Sequence, residues 1–321
     1  MLKVQVRDGR LYFSERFSVS FQRTLRVPDD GQTYPLPPGL GMFPLRRVED
    51  YCGRVPPVWA QDGGVFIPLY QREALWLGFE GEDWRPHAVK VMAGGVNVVS
   101  GEAEDRGLRG DPQNYLVCPP QPWLDGINAG PGLIRQFVAV PLGQGYTVES
   151  QLTGREDEGG LRIEVFEPKP GRFPDRPPTR EDAPDVYSAE PSLEMDMDAE
   201  LGLGAGGRMG QNIYPDPYGL DAWDADERGS TFVRLVNTEM YRRITGLEPP
   251  PTPIDARAYT EAGLPWFALY DEAQGDVTAP RGLRGVKSVG ELDAEKGLAP
   301  ADEGTLDATS LRVEPVRPRE K

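Results

Sequence analysis

Glycine and proline interrupt this chain so often that they limit the length of every helix and strand it can form. The 321 residues include 38 glycines and 33 prolines, more than a fifth of the chain, whereas about 12% is usual. Glycine weakens helices and strands, and proline lacks the N–H group that both need. The composition therefore argues against a helical bundle, a coiled coil or a solenoid of helical repeats, and no internal repeat is visible.

The apolar residues between these interruptions are arranged as short strands. Residues 17–27 (FSVSFQRTLRV) alternate apolar and polar side chains over most of their length, which is typical of a half-buried strand. Asp8-Gly9, just before Leu11, predicts a hairpin turn. The sequence thus predicts a mainly β fold, with an antiparallel sandwich- or barrel-like N-terminal domain and a smaller irregular α+β C-terminal part. Further strands are predicted at 64–70, 73–79, 88–92, 96–99, 114–118, 134–140, 146–152 and 161–166.

The composition changes after the last of these strands. Residues 171–205 are rich in proline, glycine and acidic side chains, and we interpret them as a linker or long loop. They separate a β-sandwich-like domain, 1–170, from a smaller mixed region with an extended tail, 206–321. Within that region, Asn237 or Thr238 predicts the start of a short helix that Gly246 would end.

Charge and apolar content exclude several classes of partner. The net charge is −16, so binding to nucleic acid or to an anionic membrane surface is disfavoured. No segment approaches the roughly 20 apolar residues that a membrane-spanning helix needs, and no secretory signal is visible. Two cysteines, Cys52 and Cys118, cannot form a disulfide scaffold. The default expectation is a soluble protein of the cytoplasm.

The standard catalytic patterns are poorly represented. His87 is the only histidine, which excludes metal sites built from several histidines. A dyad of His87 and Cys118 is conceivable, but Cys118 ends an apolar strand and reads as a buried structural thiol. The stretch Gly202–Gly207 matches G-x-G-x-x-G but lacks the flanking strand and helix of a dinucleotide site. A glycine loop or a tight backbone crossing is the preferred interpretation, and whether the chain is an enzyme stays uncertain, leaning to no.

Two groups of residues are candidate sites. Residues 118–137 combine a Pro-rich arm, polar side chains and a glycine turn, and could form a binding loop or a structural corner; its candidate binding residues are Trp123, Asp125, Asn128 and Arg135. The second group is an acidic stretch that could hold calcium at an irregular site, although it fails the EF-hand pattern and a solvated loop is the simpler interpretation. Its candidate ligands are Asp216, Asp221, Asp224 and Asp226. No other cofactor is expected.

Four segments resemble an uncharacterised family of bacterial and fungal proteins, some of whose members are labelled integral membrane proteins. They are 120–130 (PQPWLDGINAG), 134–149 (IRQFVAVPLGQGYTVE), 213–224 (IYPDPYGLDAWD) and 263–272 (GLPWFALYDE). The resemblance covers most of the chain and implies no activity, substrate or site. The membrane label has no counterpart in an apolar segment of this sequence.

The leading functional hypothesis is a non-enzymatic structural or binding protein that self-associates through Pro-rich arms and sheet edges. Stiff Pro-rich segments lose little entropy on docking, and they occur at 33–44, 168–178 and 249–253. A carbohydrate-active protein, either a hydrolase with paired carboxylates or a sugar-binding module, is the alternative. A calcium-stabilised module is a further alternative. The predicted partners are a second copy of the chain or a carbohydrate.

Overall fold

The computed structural model describes residues 2–103, 107–176, 200–269, 275–298 and 306–316. The fold is mainly β, with 40% strand and 17% helix, a large antiparallel sheet and a few helices. This confirms the predicted mainly β class with a small α+β C-terminal part.

The strands of the first half are short and closely spaced. They are β1 (Gln5–Arg7), β2 (Arg10–Tyr12), β3 (Phe17–Thr24), β4 (Thr33–Tyr34), β5 (Gly39–Met42), β6 (Arg46–Arg47), β7 (Val65–Leu69), β8 (Ala74–Gly81), β9 (His87–Ala93), β10 (Val96–Asn97), β11 (Leu116–Cys118), β12 (Trp123–Leu124), β13 (Gly126–Gly130), β14 (Leu133–Pro141) and β15 (Leu161–Pro168).

The second half adds two long strands and two short ones, β16 (Glu200–Gly210), β17 (Trp223–Asn237), β18 (Trp266–Leu269) and β19 (Val313–Val316). The α-helices are α1 (Pro57–Asp62), α2 (Val148–Thr153), α3 (Thr238–Thr245), α4 (Ala256–Glu261), α5 (Arg281–Arg284) and α6 (Val289–Glu295). None of the helices in the described ranges has the length and apolarity needed to cross a membrane.

The main strands pair in one continuous run. β8 pairs with β14, β14 with β16, β16 with β17, β17 with β15 and β15 with β9, all antiparallel. At the two ends of this run, β11 pairs with β9, and β12, which follows β11 in the chain, pairs with β8. Alternate side chains enter one buried cluster, including Leu75, Leu77, Val89, Val91, Phe137, Ile163, Val165, Val233 and Leu235.

The sheet crosses the boundary predicted between the two parts of the chain. β16 pairs with β14 over eight register positions, and β17 pairs with β15 and β7. Of the predicted linker, residues 177–199 lie outside the described residues, and its last residues belong to β16.

The turn and helix-cap residues singled out in the sequence have the structural roles that their chemistry predicts. The Asp8-Gly9 hairpin is confirmed, since β1 and β2 pair around it and both turn residues have positive φ, 48° and 72°. The helix predicted at Asn237 is also confirmed, because Asn237 caps α3 by accepting the Met240 N–H and Gly246 ends it.

The strand predicted at 146–152 is wrong, because α2 occupies most of it. The Thr147 hydroxyl accepts the Ser150 N–H at the start of this helix, and Gly154 ends it in the left-handed conformation. Caps at both ends stabilise a helical turn, and here they outweigh the apolar alternation that suggested a strand.

The described Pro-rich arms contact their own chain. Leu36, in the first arm, exchanges two backbone hydrogen bonds with Phe267 at 2.7 and 2.8 Å. In the arm at 249–253, the Pro250 carbonyl accepts the Tyr70 hydroxyl at 3.1 Å and the Pro251 carbonyl accepts the Arg23 guanidinium. These contacts fix the arms against the sheet.

Candidate functional site

The predicted binding loop packs into the fold. Asp125 is 2% exposed, and its carboxylate accepts the Gln211 side-chain amide at 3.0 Å while its N–H donates to the same side chain. Burial raises the pKa of Asp125 to about 7, although the Gln211 hydrogen bond opposes part of this rise. Trp123 is half-buried, with its ring centroid 6.1 Å from that of Trp76.

The other two candidates of this loop bind protein groups as well. The Asn128 amide donates to the carbonyls of Val99 and Val277, at 3.3 and 3.1 Å. Arg135, on β14, lies 3.3 Å from the Glu291 carboxylate of α6. Asp125, Asn128 and Arg135 thus contact groups of the protein itself, as the structural-corner interpretation expects, and the binding-loop interpretation stays a prediction.

The four acidic candidates are not gathered into one site. Asp216 accepts the Tyr115 hydroxyl, the Trp223 indole N–H and the Tyr218 backbone N–H, so it organises an aromatic cluster. Asp224 accepts the N–H groups of Asp226 and Glu227. Asp221 and Asp226 are exposed. In the described parts of the chain, no three His, Cys, Asp or Glu side chains converge as metal ligands would.

His87 and Cys118 lie directly opposite each other on β9 and β11. Burial raises the pKa of Cys118 well above its ordinary value, which disfavours the thiolate that a nucleophile needs. His87 is fully buried, and its Nε2 contacts Glu167 at 3.2 Å. Burial raises the pKa of Glu167, but the contacts with His87 and Arg85 outweigh it and lower the pKa overall. The pair is thus a core contact rather than an accessible dyad.

A cleft that the sequence did not suggest lies where two distant segments meet. Residues 70–74 form one wall and residues 252–256 the other, around a volume of about 190 Å³. Glu73, in the first wall, forms a buried ion pair with Arg23 at 2.8 Å. Burial raises the pKa of Glu73, whereas Arg23 and the Tyr70 N–H favour its ionised form.

The charges around the cleft are paired. Arg72 binds Asp293 with two hydrogen bonds, at 2.6 and 2.8 Å, and the Tyr146 hydroxyl donates to the same carboxylate. Burial disfavours ionisation of Asp293, but these contacts lower its pKa overall. Arg26 also lines the cleft and favours the ionised form of Asp293.

A second surface is the outer face of β15 and β17. We name it the Arg–Phe face and define it by Arg162, Arg228, Ser230, Phe232 and Arg234. In the sheet register Arg162 lies opposite Phe232, and Arg228 lies opposite Phe166. Arg228 and Ser230 are exposed, and Arg162 and Phe232 are half-buried.

Guanidinium groups stack on aromatic rings across this face. The Arg234 and Arg162 guanidinium carbons lie 4.7 and 5.9 Å from the Phe232 ring centroid, and that of Arg228 lies 5.9 Å from the Phe166 centroid. Arg234 also pairs with Asp62 at 2.6 Å. Arg162 and Arg228 have no carboxylate partner among the described residues, and the buried Nε of Arg162 makes no hydrogen bond.

Sequence reasoning missed both the cleft and the Arg–Phe face. The face had a signal in the sequence, because Arg228, Ser230, Phe232 and Arg234 alternate with residues that are mostly small or apolar. The cleft had no such signal in the sequence, because its two walls come from distant segments of the chain. Tyr70 and Pro250, which are in contact, are 180 residues apart.

Comparison of the chain with protein-family models, with curated proteins and with solved structures finds no match. The resemblance to an uncharacterised family therefore stays a prediction.

Proposed function

We propose that this protein is a non-enzymatic structural or binding protein that self-associates, and that the Arg–Phe face is the contact surface. The observation that carries the proposal is the pair of guanidinium groups, Arg162 and Arg228, that lack carboxylate partners on a sheet face. Arginine and aromatic side chains are the residues most enriched at the energetic centres of protein interfaces.

Stacking prepares these arginines for binding. A guanidinium group held over a ring loses less side-chain freedom when it binds, while the N–H groups at its edge stay free for a carboxylate. Phe232, between Arg162 and Arg234, supplies the apolar area at the centre of the surface. The face thus suits a partner that carries carboxylates.

Charge complementarity favours a second copy of the chain as that partner. The same strand that carries Arg228 carries an acidic block immediately before it, Asp224, Asp226 and Glu227, of which Asp226 and Glu227 are exposed. Asp226 precedes Gly229 by three residues and Phe232 follows it by three, so the acidic block and the Arg–Phe face lie on the two sides of Gly229 along the chain. A two-fold axis near Gly229 would set each acidic block against the other copy's Arg–Phe face, as an isologous interface requires.

This proposal puts the contact surface on the Arg–Phe face, whereas the hypothesis from the sequence put it on the Pro-rich arms and sheet edges. The described arms use their carbonyls and N–H groups within their own chain, as Leu36, Pro250 and Pro251 do. We assign them the role of holding the sheet surface rigid. A rigid surface loses little freedom on association, which favours binding.

The test is the mass in solution of the wild type and two charge-reversal variants, Arg162→Glu and Asp226→Arg. Light scattering after size exclusion should show an oligomer for the wild type. Each variant alone should be monomeric, because reversal sets like charges against each other twice in a two-fold interface. An equimolar mixture should associate again, because both contacts of the mixed dimer then join opposite charges.

The control is Arg257→Glu, a reversal at an exposed arginine of α4 outside the face, which should leave the mass unchanged. A wild type that is monomeric at every concentration would overturn self-association. A wild-type oligomer that both variants leave intact would keep self-association and reject the Arg–Phe face.

A further inference from the structure

We infer that the cleft between residues 70–74 and 252–256 binds a neutral, polyhydroxylated ligand about the size of one sugar ring. The inference is independent of self-association, since it concerns a different surface. It rests on the rigidity of the cleft, the balance of its charges and its size.

Buried polar contacts join the two walls. Arg23 is bound to Glu73 in the first wall and donates to the Pro251 carbonyl of the second. Tyr70 donates to the Pro250 carbonyl at 3.1 Å. These contacts between the walls hold the cleft in shape, so little ordering is needed on binding.

The charges at the cleft balance. Arg23 pairs with Glu73, and Arg72 pairs with Asp293. The other two charged residues that line the cleft, Arg26 and Asp255, have opposite signs. A charged ligand would have to disturb this balance or leave one of its own charges without a partner in the cleft, which is costly. A neutral ligand with several hydroxyl groups can instead donate to one wall and accept from the other.

Size and lining narrow the ligand further. Pockets for drug-sized ligands usually hold about 300–1,000 Å³, so about 190 Å³ suits one small ring. The lining also includes Ala74, Pro253, Ile254 and Ala256, which offer apolar contact to a C–H face. Alternating hydroxyl and C–H surface is the character of a sugar ring, either free or at the end of a glycan chain.

The experiment measures binding of methyl glycosides to the full chain by calorimetry or ligand-observed NMR. The probes are methyl glucoside, galactoside, mannoside and xyloside, with glucuronate and glucosamine as charged analogues, and a short glycan distinguishes a chain end from a free sugar. At least one neutral glycoside should bind with a Kd of about 1 mM, a common strength for so few contacts, and more tightly than either charged analogue.

The variant Asp255→Asn tests the charge balance. Asparagine caps a helix as well as aspartate does, so α4 keeps its start while the cleft gains net positive charge. The preference should shift towards glucuronate by about twofold to fivefold, the size expected for a partly exposed charge pair. The matched control is Asp307→Asn, a capping aspartate that does not line the cleft, which should leave the preference unchanged.

Three results would overturn the inference. They are the absence of saturable binding for every probe, tighter binding of a charged analogue by the wild type, and equal behaviour of the two variants. Glycoside binding together with a shift confined to Asp255→Asn would support it.

Discussion

Asp125 is a buried carboxyl whose protonation links the fold to pH. Burial raises its pKa to about 7, whereas an aspartate in an unfolded chain titrates near 3.9. Between these values the folded state binds more protons than the unfolded state, so the free energy of unfolding falls as pH rises. Below about pH 4 both states are protonated and the residue has no such effect.

We therefore expect Asp125→Asn to stabilise the protein at pH 8 and to leave its stability nearly unchanged at pH 4. The rise in pKa from about 3.9 to about 7 corresponds to a difference on the order of 4 kcal/mol in the free energy of unfolding. Asparagine keeps an oxygen for the Gln211 amide, so the hydrogen bond survives. Urea unfolding across this pH range measures the difference.

The surface residue Asp83, which is exposed, provides the control. Asp83→Asn should follow the wild-type curve at every pH. If Asp125→Asn also followed it, the carboxyl at 125 would be ionised in the folded state without cost, and the argument from burial would fail.

At this scale the sequence singled out Asp125 and Asn128 but not their partners. Asp125 and Asn128 stood out because polar side chains in a Pro- and Gly-rich loop commonly bind backbone or ligand. Gln211, which binds Asp125, is 86 residues away in the chain, and nothing local indicates that contact. Without knowledge of that contact, the sequence could not distinguish a loop that binds a ligand from one that binds the protein's own groups.

At the scale of elements, β16 shows why a glycine-rich segment can be a strand. Leu201, Leu203 and Ala205 enter the core, while the intervening Gly202 and Gly204 face elements packed closely on the other side. A Cβ at Gly204 would lie 3.0 Å from Val289 of α6 and 3.1 Å from the Tyr146 carbonyl oxygen. The glycines therefore allow close approach, which is the tight backbone crossing considered from the sequence.

We predict that Gly207→Ala is destabilising and that Gly210→Ala in the same strand is not. A Cβ at Gly207 would collide with the Pro28 carbonyl oxygen, whereas a Cβ at Gly210 meets nothing within 4 Å. Overpacking of this kind costs about 1–3 kcal/mol. Replacing an unobstructed glycine with alanine is neutral or stabilises by up to about 1 kcal/mol.

Chemical unfolding of both variants measures these effects. Equal stability of the two would show that the chain at Pro28 moves away freely and that the approach is not tight. The pair shares one strand and one substitution, so a difference between them reports the neighbouring backbone and not the intrinsic preference of alanine.

Most strands could be predicted because alternation and turn residues are local signals. The exception at 146–152 was local too, since Thr147 and Gly154 mark the ends of α2. Strand order could not be predicted, because each pairing joins distant segments, such as Leu161 with Val233. In β16 the glycines concealed the alternation of Leu201, Leu203 and Ala205.

At the scale of the whole molecule, the antiparallel pairing of β15 with β17 brings distant segments of the chain together and so creates the Arg–Phe face. The chain's net charge of −16 opposes association of two copies in general, because like charges repel over distances set by the salt. Where the two surfaces meet, the arginines of one copy attract the acidic block of the other and oppose this repulsion. Two electrostatic terms of opposite sign therefore act on the proposed dimer.

The long-range repulsion and the short-range attraction respond differently to salt, and this difference can be tested. The screening length falls from about 30 Å at 0.01 M salt to about 10 Å at 0.1 M and about 3 Å at 1 M. Screening of the long-range repulsion should first tighten the dimer as salt is added. Screening of the short contacts between Asp226 and Arg162 should then weaken it, so the Kd should pass through a minimum near physiological salt.

Sedimentation velocity over this salt range measures the Kd directly. In Asp226→Asn the attractive contacts are weaker, so the high-salt rise should flatten while the low-salt fall remains. A Kd that only falls with salt would indicate a contact without ion pairs, either apolar or formed by backbone pairing at a sheet edge such as β1, because the repulsion between the net charges acts on every dimer. That result would move the interface away from the Arg–Phe face, because a surface built on guanidinium–carboxylate contacts cannot be insensitive to their screening.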